Sequence, residues 1–354
     1  MPTMIKSEAA ARLRNAAAER ILVTDGAFGT MIQSYRLTEA DYRGGLALGH
    51  DQKGNNDLLA LTRPHVIAEI TEAYLDAGSD IVSTNTFNAN SISQADYGAE
   101  HLVRDINLAS AQIASDAARN AQQADGRPRF VAGALGPTNK TLSLSPDVND
   151  PGYRAISFDE LKDVYREQVD ALLDGGVDFI LIETIFDTLN AKAGIMAVLE
   201  AGVARGIEVP LMISFTVTDM SGRNLSGHSI ESFWASVRHA RPLTIGLNCS
   251  FGAPQLRPSV TALSPLADTL LMVYPNAGLP NDLGAYDEAP ETTGGFIGGW
   301  ASEGLINIVG GCCGTTPDHI RAMAKAVRGH APRTIPEAKR QTFLAGLDPM
   351  RIAA

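Results

Sequence analysis

The chain has 354 residues, 45% of them apolar, and 40 acidic against 29 basic side chains give a formal charge of −11. That balance repels phosphate backbones and anionic bilayers, which disfavours a nucleic-acid or membrane-surface partner. No stretch of about 20 apolar residues occurs, and charges from Lys6 to Arg20 interrupt the N-terminal region, so neither a secretion signal nor a membrane span is expected.

Taken in order, residues 5–19 are rich in Ala and Arg and predict a helix, with Ser7 as candidate N-cap. The first apolar run, Ile21-Leu22-Val23, ends at Asp25-Gly26. Further runs follow at 81–82, 129–132, 179–182, 211–215, 243–247, 270–274 and 305–309. They are too continuously apolar to alternate, as expected of strands buried on both faces.

Helical patterns lie between them. Leu102, Ile106, Ala109 and Ile113 share a face, as do Leu161, Val164, Tyr165 and Leu172. Ser157 and Glu160 form a capping-box pair, Gly78 and Gly175 stand where helices should stop, and Thr316-Pro317 opens the last helix. Segment 290–304 carries Gly294, Gly295, Gly298 and Gly299, each costing about 1 kcal/mol against Ala, so a short or irregular helix is expected there.

Eight strands alternating with helices predict a (β/α)8 TIM barrel over residues 1–330, with a C-terminal tail over 331–354. A doubly wound open sheet would show fewer strands and a Gly-rich turn after the first. The long segments after strands 1 and 3, roughly 26–62 and 133–157, belong at the barrel's C-terminal face, where barrel enzymes keep their sites.

The chemistry concentrates at strand ends. The chain has three cysteines: Cys249 closes the sixth run, and Gly310-Gly311-Cys312-Cys313-Gly314 follows the eighth. Two strand spacings, roughly 10 Å, separate those ends, a gap loops can close. Three thiolates at about 2.3 Å would leave a zinc ion one open position, the arrangement of a catalytic site. The plain alternatives are buried free cysteines, or a vicinal disulfide between Cys312 and Cys313 that leaves Cys249 unexplained. An odd cysteine count in so long a chain is no disulfide framework, and a reducing cytoplasm is the expected compartment.

Asp25 and Glu183 end strands 1 and 4; carboxylates there suit an ammonium group or acid–base work, or simply cap the next helix. Asn276 ends strand 7, and its amide oxygen could take zinc's fourth position or serve the turn. Asn85 and Asn88, after strand 2, could face a substrate or satisfy loop backbone.

Taken together, Asp25-Gly26-Ala27-Phe28-Gly29-Thr30, Thr84-Asn85-Thr86-Phe87-Asn88, Ile182-Glu183-Thr184, Gly246-Leu247-Asn248-Cys249, Pro275-Asn276-Ala277-Gly278 and the double-cysteine segment resemble the homocysteine S-methyltransferase family. Within it the likeness is to the N-terminal homocysteine-binding module of cobalamin-dependent methionine synthase. Gly54-Asn55-Asn56-Asp57-Leu58-Leu59 and Asp187-Thr188-Leu189-Asn190-Ala191-Lys192 add to it.

The resemblance implies Zn2+ on Cys249, Cys312 and Cys313, with the homocysteine sulfur as exchangeable ligand. It also implies Asp25, Gly26 and Glu183 at the amino-acid end of homocysteine, and Asn276 as the displaceable oxygen ligand. In methionine synthase, methyltetrahydrofolate and cobalamin domains follow this module. Here the chain ends soon after the barrel, and the cobalamin motif Asp-x-His-x-x-Gly is absent.

The expectation is therefore a methionine-forming subunit taking its methyl group from methylcobalamin on a cobalamin-binding partner protein, itself recharged with a methyltetrahydrofolate-binding partner. A stand-alone methyltransferase using S-methylmethionine or betaine is the alternative, and a non-catalytic zinc- or thiol-binding module the alternative of another class.

Overall fold

The structure, a computed structural model, describes residues 4–338 and 341–352. Its centre is a ring of eight parallel strands: β1 (Leu22–Val23), β2 (Ile81–Ser83), β3 (Phe130–Leu135), β4 (Phe179–Ile185), β5 (Leu211–Phe215), β6 (Thr244–Gly252), β7 (Leu270–Asn276) and β8 (Ile308–Val309). They are hydrogen-bonded in the order β1-β8-β7-β6-β5-β4-β3-β2, and a parallel bridge between Thr24 and Ile81 brings the two ends together. The (β/α)8 barrel expected from the apolar runs is the fold.

Side chains alternate across each strand, so every second residue points into the barrel. At the N-terminal end the lumen is apolar, with Leu22, Phe130, Phe179 and Ile308 packed against Ala10, Leu13 and Ala17 of the helix Glu8–Glu19. Ser7 caps that helix by accepting from the Ala10 N–H at 3.2 Å. Arg20, at the helix's end, forks onto the fully buried Asp80 with both contacts at 2.7 Å, and Arg127 joins at 2.9 Å. The plug is thus both apolar and ion-paired.

Two helical expectations change. The helix Val103–Asp125 buries Val103, Ile106, Ser110, Ala114 and Ala117, while Ala109 and Ile113 sit at the flank of that face. Its stripe is carried by small residues, which an eye for large apolar ones misplaces. Segment 290–304, expected to be short or irregular, contains a 13-residue helix, Pro290–Ser302. Gly294 and Gly298 face the helix Pro317–Ala326: a Cβ on Gly294 would lie 3.3 Å from Ala322 backbone, and one on Gly298 3.5 Å from the Ala326 Cβ. Close helix–helix packing offsets the poor propensity.

Both long segments are pinned rather than loose. Residues 26–62 carry the helices Phe28–Ser34, Glu39–Arg43 and Leu59–Thr62. The 136–157 segment has no helix or strand but is held by Asp187, which accepts from Ser143 N–H and Oγ at 2.9 and 2.7 Å, and by Asn190, which accepts from Leu142 N–H at 2.9 Å.

Beyond residue 330 the chain returns to the barrel. The Arg333 guanidinium is buried and donates to the carbonyls of Ser264 and Thr269, both at 2.9 Å. An antiparallel hairpin, β9 (Thr342–Ala345) with β10 (Pro349–Ile352), then packs beside the helix Ile230–Val237, tied by the Ser229 N–H to the Leu347 carbonyl at 3.0 Å. No described helix is long and apolar enough to cross a membrane.

Asp57 joins the first long segment to the loop after β2 by accepting from the Asn88 N–H at 2.9 Å. Burial pushes its carboxyl from 3.8 up to about 7. A raised folded-state value means the stabilising protonated form is complete below the unfolded pKa and is lost as pH rises through about 7. Asp57→Asn keeps an acceptor without the buried charge. Thermal unfolding should show the variant more stable than wild type above pH 7, by up to roughly 4 kcal/mol, with the gap closing towards pH 4. A variant less stable at high pH would contradict this.

Candidate active site

The loop after β8 runs between the ends of β7 and β1. Gly310 N–H donates to the Val273 carbonyl at 3.2 Å, Gly311 N–H to the Asp25 carbonyl at 3.1 Å, and Cys312 N–H to the Pro275 carbonyl at 2.8 Å. Cys313 N–H meets the Asn276 side-chain oxygen at 3.1 Å, and its carbonyl accepts from Ala277 N–H at 2.9 Å. Glycine is required twice. A Cβ on Gly311 would lie 2.1 Å from Thr315 Oγ1, and Gly314 has φ +78°. Backbone hydrogen bonds thus present two adjacent cysteines at the C-terminal mouth.

Cys249 arrives from β6 by a costlier route. The β6–β7 register shifts between Asn248 and Gly252, and Cys249 and Ser250 both have φ +62°. Left-handed backbone at non-glycine residues costs of order 1–3 kcal/mol each and persists only where neighbours over-determine it. The kink brings Cys249 Sγ to 3.9 Å from Cys313 Sγ, and all three sulfurs lie within 4.8 Å of one another.

All three cysteines are free. A tetrahedral shell with bonds of about 2.3 Å sets sulfurs about 3.8 Å apart, so the cluster is close to the spacing one zinc ion needs. Charge argues the same way. Hydrogen bonds from Cys249 and then Cys312 pull the Cys313 thiol down to about 3. Hydrogen bonding to Cys249 and Cys313, with burial, pushes the Cys312 thiol well up. Three adjacent thiolates repel one another, so ionising all three needs a cation among them. The three cysteines could hold a metal ion, and the donor set is compatible with zinc.

Two carboxylates sit deeper in the mouth. Asp25 is buried, with one oxygen accepting from Ser83 N–H and Oγ at 2.7 and 2.8 Å and the other from Thr24 Oγ1 at 3.1 Å. Burial pushes it up to about 6. Glu183, on β4, accepts from the Tyr274 hydroxyl of β7 at 3.0 Å, and burial pushes it up to about 7. No cation contributes to either shift. Hydroxyls orient both groups, but no charge among the described residues neutralises them.

The other sequence-marked residues take different places. Gly26 lies under the floor of this region, where a Cβ would come within 2.8 Å of Thr315 and Tyr74. Asn276 is buried at the cluster's edge, with its oxygen directed at the Cys313 N–H. Asn85 is buried and donates to the Asn56 carbonyl at 2.8 Å, bracing the first long segment, while Asn88 is exposed.

Ser83, Ser214, Asn248 and Tyr274 were not singled out as site residues. All stand on the inward parity of their strands, in step with Ile81, Met212, Thr244 and Met272 below them. Counting by two from the inward residues lower on each strand would have found them.

A parallel barrel with three clustered thiols and two carboxylates at its C-terminal mouth has the architecture of a barrel enzyme, with a thiol cluster that could hold a metal ion. Comparison with known proteins narrows the class. The profile of the homocysteine S-methyltransferase family matches residues 22–327, and the chain belongs to that family: it is a methyltransferase of homocysteine chemistry. The fold is shared with homocysteine methyltransferase MmuM from Escherichia coli. Its oxidized form superposes with TM-score 0.67 at 22% identity over 86% of this chain and 95% of that one. Its metallated form gives 0.66 at 22% identity over 88% and 98%.

If the cluster binds zinc, Cys249→Ala should lower the metal retained after chelator dialysis from about one per chain to well under half, with unchanged far-UV circular dichroism. Full retention by the folded variant would rule out Cys249 as a ligand.

Proposed function

We propose that this chain methylates homocysteine to methionine as the homocysteine-activating component of a split cobalamin-dependent methionine synthase. The observation that carries the reading is a three-sulfur cluster sharing one barrel mouth with the buried Asp25 and the half-buried Glu183, neither of which has a cation partner among the described residues. Cys249, Cys312 and Cys313 would hold zinc, and Asn276 is the candidate for a displaceable oxygen at the remaining position. Bound zinc supplies positive charge in place of the thiol proton, so the substrate sulfur can react as a thiolate near neutrality.

The chain's own residues do the rest. Asp25 and Glu183 offer their charges to the substrate ammonium, oriented by Ser83 and Tyr274. That anchors one end of homocysteine and leaves its thiol for the cysteines. Asn85 and Asn88 lie by the loop after β2 and are candidates for the substrate's carboxylate side. Methyl transfer turns the thiol into a thioether, a poorer metal ligand, which favours product release. Three half-buried free thiols are best kept in a reducing compartment, which supports a cytoplasmic setting.

The methyl donor in this reading is methylcobalamin on a cobalamin-binding partner, recharged with a methyltetrahydrofolate-binding protein. The MmuM likeness supports a second reading. The match covers 95% of that homocysteine methyltransferase, so a barrel accounts for nearly all of it, and a self-sufficient enzyme using S-methylmethionine or betaine is the alternative.

Zinc-loaded protein with homocysteine, offered methylcobalamin, S-methylmethionine and betaine separately, tests the two. Methionine from methylcobalamin supports the split synthase; methionine from the small donors alone contradicts it. Binding without turnover on any donor would leave a zinc- or thiol-binding module.

Removing one charged partner of the ammonium costs roughly 1.5–3 kcal/mol, so Glu183→Gln should raise the homocysteine KM about ten- to a hundredfold with a smaller change in kcat. Glu183 must be ionised to pair with an ammonium, so wild-type KM should fall as pH rises through about 7, a dependence the variant should lack. An unchanged KM would remove Glu183 from the substrate site.

A further inference from the structure

Asn248 precedes the first metal-site cysteine, is wholly buried, and has a side chain whose hydrogen-bonding capacity is almost fully assigned. Its oxygen accepts from Ser214 Oγ at 2.6 Å and from the Thr184 backbone N–H at 3.1 Å. Its nitrogen donates to Thr184 Oγ1 at 2.8 Å. A backbone N–H can only donate, so the atom facing it must be the amide oxygen, which fixes the orientation of the group. The remaining N–H is left to Cys312 Sγ, 3.9 Å from the nitrogen.

The setting is built for this contact. Thr184 has φ +55° at the β4 register shift, beside the left-handed Cys249 of β6, and the Asn248 amide spans the two irregularities. The Asn248 carbonyl also accepts from Thr216 Oγ1 of the segment after β5 at 3.0 Å. Strands β4 and β5 therefore both bond the carboxamide of this β6 residue, whose remaining donor faces a sulfur.

Groups that hydrogen-bond a metal's ligands orient them and tune the charge they pass to the metal. An N–H aimed at a thiolate withdraws electron density from it. Three thiolates already exceed the charge of a divalent ion, so damping one of them leaves more positive charge for an incoming fourth sulfur.

We propose that Asn248 is a positioning residue that orients the Cys312 sulfur and damps its charge, through an amide held by Ser214 and Thr184. This rests on the reading of the three cysteines as metal ligands. The test substitutes cobalt(II) in the full chain and reads the thiolate-to-cobalt charge-transfer band, with zinc affinity measured by competition against a chelator. Asn248→Asp keeps the shape and the acceptors but removes the donor. It should weaken zinc about ten- to a hundredfold and move the band to lower energy, since a more electron-rich sulfur gives up an electron more readily.

Ser214→Ala, which frees the amide without deleting the donor, should shift both in the same direction by less, and serves where Asn248→Asp does not fold. A wild-type band that stays unchanged in these variants overturns the role, as does lost affinity without a band shift, which would mark a purely structural residue. Wild-type protein giving no charge-transfer band would overturn the metal centre itself, and this role with it.

Discussion

Three sulfurs within 4.8 Å of one another cannot all carry charge unless a cation sits among them, and the C-terminal face of this barrel is organised around that constraint. Two sulfurs come from one glycine-rich loop and the third from a strand two places away. Bringing them together costs left-handed backbone at Cys249 and Ser250. On one side of the cluster the Asn248 amide bonds Thr184, next to the kink, and on the other the Asn276 oxygen meets the Cys313 N–H. A kinked strand end at the mouth of a closed barrel is well placed for such strain, because the hydrogen-bonded ring below resists relaxation.

The lumen supplies the second half of the design. Its N-terminal end is filled by apolar side chains and a helix, while its C-terminal end turns polar through Ser83, Glu183, Ser214, Asn248 and Tyr274. Elsewhere the fully buried Asp80 is paired with two arginines, and the buried Asp57, which has no cation among the described residues, serves the loop backbone. Asp25 and Glu183 receive hydroxyls and no cation. At the mouth, two cation-free carboxylates pushed towards neutrality suit a positive partner, and an amino acid with a thiol side chain carries an ammonium for one end of the mouth and a sulfur for the other.

Much of this was legible before any coordinates. Continuous apolar runs marked all eight strands, because strands covered on both faces have no solvent side to alternate with. The cysteines stood out because each follows such a run. Segment 290–304 misled because propensity prices a glycine alone, whereas Gly294 and Gly298 serve the fit to Ala322 and Ala326 on a partner helix. Asn248 and Tyr274 stayed hidden because their roles come from closure: Tyr274 on β7 reaches Glu183 on β4 across the lumen, a contact no local pattern encodes. The hairpin past residue 341 was equally silent, since its packing beside the helix Ile230–Val237 depends on where the chain returns.

The central claim is that the open position of a three-cysteine metal centre is reserved for the substrate's own sulfur. X-ray absorption at the zinc edge, on zinc-loaded protein with and without homocysteine, tests it most directly. The account predicts three sulfur neighbours and one lighter atom in the free protein, becoming four sulfurs when homocysteine is added. A sulfur count that homocysteine leaves unchanged would contradict it.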